Sequence, residues 1–246
     1  MFNFSFDKRM LYVILVIMII FGLQSLISNP AKLWELVLTV PGVIIALTFH
    51  EFAHAYIADK LGDDTPRMQG RLNLNPLTHM DPIGTILLLT AGFGWGKPVE
   101  INPRNFNRDM SLSKAEALVA FAGPAMNFIL AFIFLIISYV FVTFNIIKNM
   151  EISIIVNMIL ILTVMTNIGL GIFNLIPLPP LDGSKILMHF LPYNGKRWFE
   201  SKQMIFYIIF IVIWIAGLAP VIIQPVFNLV YMGMDAVVGG IFGLFG

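Results

Sequence analysis

Three side chains near residue 50 have the types and spacing needed for hydrolytic chemistry. The stretch Leu47-Thr48-Phe49-His50-Glu51-Phe52-Ala53-His54-Ala55-Tyr56 contains H-E-x-x-H. On a helix, residues four apart lie one above the other, so His50 and His54 present two imidazoles to one zinc ion. Glu51 stands beside them to take a proton from a water that the metal activates. The surroundings argue against a patch of exposed polar residues. No charge occurs from Leu36 to Phe49, which places His50 about 22 Å along a helix from Glu35 and about 13 Å short of Asp59. Ionisable groups at that depth in an apolar segment are expensive and by default mark function.

The elements that must position these residues are membrane spans. Of the 246 residues, 58% are hydrophobic and only 12% charged, a composition that excludes a soluble domain. A net charge of +1 gives no basis for binding nucleic acid. The chain has no cysteine, so any metal is held by His, Asp or Glu rather than by thiolates. Six apolar stretches are expected to span, at about 10–28, 35–58, 115–147, 152–177, 203–223 and 226–245. The last contains Asp235 and several glycines, and either spans or lies along the interface. Lys8-Arg9 precede a long apolar run without a convincing cleavage site, which reads as a retained first helix. The expectation is therefore an all-α polytopic membrane protein, one domain over residues 1–246, with about six transmembrane helices.

Charge orients the chain. With the amino terminus cytoplasmic, thirteen of the fifteen basic residues fall on the cytoplasmic side. Pro82 to Gly94 is apolar but too short to cross as a helix, and a crossing there would reverse every later span. It reads as a re-entrant or interfacial segment between the second and third spans. Arg71–Asn75 and Pro98–Asn102 flank it, alternate with period two, and are expected to form short strands.

Two stripes of small and polar residues mark close helix contacts, Glu116-Ala120-Gly123-Asn127-Ala131 and Thr163-Asn167-Gly171-Asn174. Packing accounts for most of them, with Asn127 and Asn174 set apart as site candidates. After Asn174, Pro177, Pro179 and Pro180 stop the helix and Gly183 permits a sharp turn. Asp182 is then held at the same membrane edge at which 35–58 ends, within reach of His50 and His54.

These residues closely resemble the site-2 protease family of intramembrane zinc metalloproteases. Its three motifs are matched by His50–His54, by Gly123-Pro-Ala-Met-Asn127 (G-x-x-x-N), and by Asn174 through Gly183 (N-x-x-P-x-P-x-L-D-G). Asn73 to Gly84 resembles a stretch of the short bacterial and archaeal members that lack a PDZ domain. The match covers a motif-bearing core of about 40–185. The resemblance implies one zinc ion per chain bound by His50, His54 and Asp182, with Glu51 as general base and then proton donor. Asn127 and Asn174 are expected to position the unwound substrate backbone or support the oxyanion. His79 is expected either to support the oxyanion or to bond within its loop, and His189 to be a solvated surface residue.

The function expected is hydrolysis of a peptide bond within or near a transmembrane segment of a single-span membrane protein, as in regulated intramembrane proteolysis. The substrate must unwind, because a helix hides its carbonyls in its own hydrogen bonds, and one of the flanking strands would offer an edge for it. The site would sit in a prokaryotic cell membrane, towards the cytoplasm. Two other readings use the same residues. A divalent-metal transporter would also place His and Asp in the membrane, although no repeat symmetry is evident. A scaffold that uses zinc only to pin its helices would tolerate Glu51→Gln, and a protease would not.

Overall fold

A computed structural model describes residues 28–91 and 95–243, together with Val16, Ile20 and Gln24. The expected first span, 10–28, lies almost wholly outside the described residues. The next helix, α1, runs from Pro30 to Lys60. Its start is written in the sequence: the Asn29 side chain accepts from the Ala31 amide, and Pro30 occupies the first turn, where no amide hydrogen is needed. At 31 residues it is about 46 Å long, enough to cross a bilayer and project beyond it.

A run of short elements follows: α2 (Thr65–Met68), α3 (Pro76–His79), α4 (Pro82–Ala91) and a 3-10 turn (Pro103–Asn105). Then come α5 (Leu112–Thr143), α6 (Met150–Asn174), α7 (Asp182–Phe190), α8 (Tyr193–Ser201), α9 (Gln203–Ile215) and α10 (Ala219–Phe242). Four of these, α1, α5, α6 and α10, are long and apolar enough to cross a membrane.

α1, α5 and α6 form the core, with α5 antiparallel to the other two. The carboxyl ends of α1 and α6 and the amino end of α5 therefore share one end of the bundle, where the candidate site lies. α10 packs on α5 and α6 through Leu135, Val164, Ile168 and Val238. α4 rests on α1 and α6 through Leu88 and Leu89, against Val43, Leu47 and Leu170.

Among the described residues there is no β-strand, which corrects the expectation for Arg71–Asn75 and Pro98–Asn102. The alternating residues are turn formers and caps. Asn73 Oδ1 accepts from the Asn75 amide, Asn75 Oδ1 from the Leu77 amide, and Asn102 Oδ1 from the Arg104 amide. The amides of Val99 and Asn102 point at carboxylates, Glu51 and Asp63, instead of a neighbouring strand. One isolated antiparallel bridge, Met80 to Gly96, brings the two ends of the α4 segment together.

The expected fifth and sixth spans also differ from those found. The chain breaks at 216–218, not near 225, giving a 13-residue α9 and a 24-residue α10. Gly217 takes the left-handed conformation (φ +67°) and Pro220 begins the next helix. That Gly-then-Pro order is the sequence signal for a helix end followed by a start. α9 is about 20 Å long, short of the roughly 30 Å hydrocarbon core.

Candidate active site

Antiparallel packing of α1 and α5 puts two stripes with the same period face to face. Ala46, His50 and His54 line α1, and Asn127, Gly123 and Val119 line α5 in the opposite order. The His50 Nδ1–H donates to Asn127 Oδ1 (2.6 Å), and the His54 Nδ1–H donates to the Val119 carbonyl (2.7 Å). Since both partners are acceptors, each Nδ1 carries the proton. Each Nε2 then presents its lone pair, the form in which imidazole binds a metal.

Gly123 fits between these two bonds. A Cβ there would lie 2.5 Å from His54 Nε2 and 2.7 Å from His50 Nε2. The glycine lets the α5 backbone approach the imidazoles where any other residue would collide with them.

The third group arrives from the end of α6. Leu175–Leu181 turn the chain back, and Gly183 packs so close to the end of α6 that a Cβ would collide with the Leu175 carbonyl. Asp182, the first residue of α7, places Oδ2 3.2 Å from His50 Nε2 and 3.2 Å from His54 Nε2. The two Nε2 atoms are 3.0 Å apart. A tetrahedral zinc site with bonds near 2.1 Å separates its ligand atoms by about 3.4 Å, and the three groups stand within about 0.4 Å of that spacing. Asp182 binds a metal as its carboxylate, and a cation held between it and the two imidazoles would favour that form.

Glu51 follows His50 directly and is 9% exposed. Its Oε2 accepts from the Val99 amide at 3.1 Å, which aims the carboxylate at the segment 95–101. Together with the two histidines and Asp182, it opens on a cavity of about 360 Å³. The cavity walls include Leu47, Trp95, Pro98, Phe173, Asn174, Lys185 and Phe210. Outside the His, Glu and Asp groups the walls are largely apolar.

The expected residues divide into two groups. His50, Glu51, His54, Asp182 and Asn174 meet around the cavity. Asn127 is fully buried behind His50, with its Nδ2 donating to the Ala46 carbonyl (3.1 Å) and to Asn167 Oδ1 (3.0 Å). His79 is fully buried in the loop, and its Nε2–H donates to the Asn73 carbonyl at 2.7 Å. His189 is half-buried, edge-on to Phe190. The sequence reading did not assign roles to Val119, Trp95, Lys185 or Phe210, whereas it offered 98–102 as a candidate substrate edge. The regular spacing of Val119, Gly123 and Asn127 is a signal that could have found the first. It also left Asn167 to packing.

A buried His-His-Asp cluster with an adjacent glutamate, opening on a cavity within a bundle of apolar helices, defines a metal-dependent hydrolase of the membrane. Known proteins agree. The sequence model of peptidase family M50 matches residues 140–217, which include the Asn174–Gly183 turn. A Bacillus subtilis protein named as the zinc metalloprotease YwhC is 38% identical over 186 residues, 76% of this chain and 84% of that protein. Mycolicibacterium smegmatis Rip2, also named as a zinc metalloprotease, is 28% identical over 203 residues, 81% of this chain and 73% of its own length. Zinc metalloprotease MJ0392 of Methanocaldococcus jannaschii is 26% identical over 174 residues, 71% of this chain and 39% of that protein. No solved structure gives a significant match. The chain belongs to peptidase family M50, the site-2 protease family, and is a membrane zinc metalloprotease.

Proposed function

We propose that this protease cleaves a peptide bond within or near the transmembrane segment of a single-span membrane protein, as in regulated intramembrane proteolysis. The observation that carries this reading is the depth of the site. His50 lies ten residues, about 15 Å, inside the end of a helix long and apolar enough to cross a membrane, and its cavity has largely apolar walls. A soluble peptide has little reason to enter there, whereas a lipid-embedded segment is already at that depth.

In this reading His50, His54 and Asp182 hold one zinc ion. Zinc bound there supplies Lewis acidity, polarising a carbonyl and lowering the pKa of a water to about 7. The chain's own groups do the rest. Glu51 takes the proton of the attacking water and returns it to the departing amine, the two halves of general acid–base catalysis. Asn174, in the cavity wall, hydrogen-bonds the unwound backbone near the scissile carbonyl. The extended backbone 96–101 opposite Glu51 lies where an unfolded substrate strand would run. His79 serves by holding the 73–79 loop beneath that segment.

The charge distribution supports a cytoplasmic site in a prokaryotic cell membrane. On that placement the carboxyl end of α1, the amino end of α5, and Lys185, Lys196 and Arg197 on α7 and α8 all face the cytoplasm. α4, about 15 Å long and returning to its starting point through the Met80–Gly96 bridge, fits a re-entrant segment.

The test uses purified protein in lipid nanodiscs with a single-span substrate carrying a cytoplasmic reporter. The wild type is expected to cut within or next to the span, and Glu51→Gln to lose cleavage by about 100-fold or more while keeping its zinc. Cleavage only in soluble loops distant from the span would overturn the intramembrane reading. Zinc uptake into vesicles without cleavage would favour a transporter.

A further inference from the structure

The polar chain behind His50 extends beyond Asn127. Asn167 on α6 is fully buried, and its Oδ1 accepts from Asn127 Nδ2 at 3.0 Å. Its own Nδ2 donates to the Thr163 carbonyl one turn back, at 2.9 Å. The direction of each carboxamide is therefore determined. Thr163 takes the nitrogen side of Asn167, which leaves its oxygen for Asn127. Asn167 and the Ala46 carbonyl together occupy both hydrogens of Asn127 Nδ2, which leaves the Asn127 oxygen for His50.

A reversed Asn127 would present an N–H to His50 Nδ1. The histidine could accept it only with its proton moved to Nε2, the atom that must face the metal. It would also set the Asn127 oxygen against two other acceptors. The buried interior makes such an unpaired arrangement costly.

We propose that Asn167 is a positioning residue for the metal centre, acting through Asn127 to hold the His50 imidazole with its lone pair towards zinc. The line Thr163–Asn167–Asn127–His50 crosses α6, α5 and α1, so the ligand is correctly set only when all three core helices are in register. This rests on the reading of His50, His54 and Asp182 as zinc ligands.

The test is zinc affinity, measured by chelator competition on the purified full chain, together with the visible spectrum of the cobalt-substituted protein. Partners of metal-bound histidines are worth about 10–100-fold in affinity, so Asn127→Leu and Asn167→Leu are each expected to weaken zinc binding by about tenfold or more. The double variant should be no weaker than Asn127→Leu alone, because Asn167 acts only through Asn127. Asn167→Asp, buried as the neutral acid with its O–H on the Thr163 carbonyl, keeps the acceptor oxygen and is expected to bind zinc within about threefold of wild type, with an unaltered cobalt spectrum.

Ser138→Ala supplies the structural comparison. It removes the 2.6 Å hydrogen bond to Asn157 across the same helix pair, far from the site. It should lower the unfolding temperature and leave zinc affinity and the cobalt spectrum alone. Zinc affinity unchanged in Asn167→Leu, or losses that add in the double variant, would overturn the proposal while leaving the ligands in place. A wild-type chain that binds no zinc would overturn both.

Discussion

Replacing Gly123 by alanine adds one methyl group at the point where α5 comes closest to the candidate ligands His50 and His54. The new carbon would start 2.5 Å from His54 Nε2, 2.6 Å from His50 Cε1 and 2.7 Å from His50 Nε2. Ordinary contact begins near 3.4 Å, so each imidazole, or the helix itself, must give way by up to about 0.9 Å. Zinc sites tolerate ligand displacements of about 0.2 Å, several times less than that. The same imidazoles are tied at Nδ1 to Asn127 and Val119, both on the helix that carries the new methyl. Swinging away from it breaks those bonds.

We expect Gly123→Ala to weaken zinc binding by about 100-fold or more, the upper end of what a disturbed ligand environment produces. Fold stability should fall far less, because alanine is better than glycine in a helix by about 1 kcal/mol. The assay pairs chelator competition with thermal unfolding of the zinc-free protein. Gly169→Ala, on α6 with open space around it, is the comparison and should bind zinc like the wild type. Wild-type affinity in Gly123→Ala would show that the imidazoles do not occupy the positions described.

Other perturbations separate the site from its supports. Asp63 is fully buried and accepts from Thr65, the Asn102 amide and Asn105. Asp63→Ala should destabilise the protein by about 3 kcal/mol, since it strands several donors, and raise KM by loosening the 96–101 wall while zinc content stays normal. Denaturant melts and substrate titration would show both effects. Tyr139→Phe removes the 2.8 Å hydrogen bond that Tyr139 donates to Asp235. Hydrogen bonds between membrane helices average about 0.6 kcal/mol, so a small loss of unfolding free energy with unchanged zinc affinity is expected, and a large change in affinity would contradict the placement of α10.

The clustering of His50 and His54 was legible because helix periodicity converts a spacing of four into adjacency, and because an apolar stretch makes two histidines and a glutamate conspicuous. Asp182 was legible for a related reason: three prolines and a glycine end α6 at the edge where the His50 helix also ends. The strands were misread because alternation alone does not distinguish a pleat from a series of Asn caps. Asn73, Asn75 and Asn102 satisfy nearby amides, and Val99 and Asn102 give theirs to carboxylates. The break at Gly217 was obscured by continuous hydropathy from Met204 to Ile223, although Gly217 and Pro220 stand in the order that ends one helix and starts another. The positioning role of Asn167 could not be read from the chain alone. It depends on which helices adjoin, and its stripe of small residues has the same pattern as simple packing.

The central claim is that His50, His54 and Asp182 hold a catalytic zinc beside Glu51. Zinc per chain in purified wild type, Asp182→Ala and Glu51→Gln, with cleavage assayed on the same samples, tests it most directly. The account predicts about one zinc per chain in the wild type, loss of zinc and activity in Asp182→Ala, and retained zinc without cleavage in Glu51→Gln. Full zinc in Asp182→Ala, or undiminished cleavage by Glu51→Gln, would contradict it.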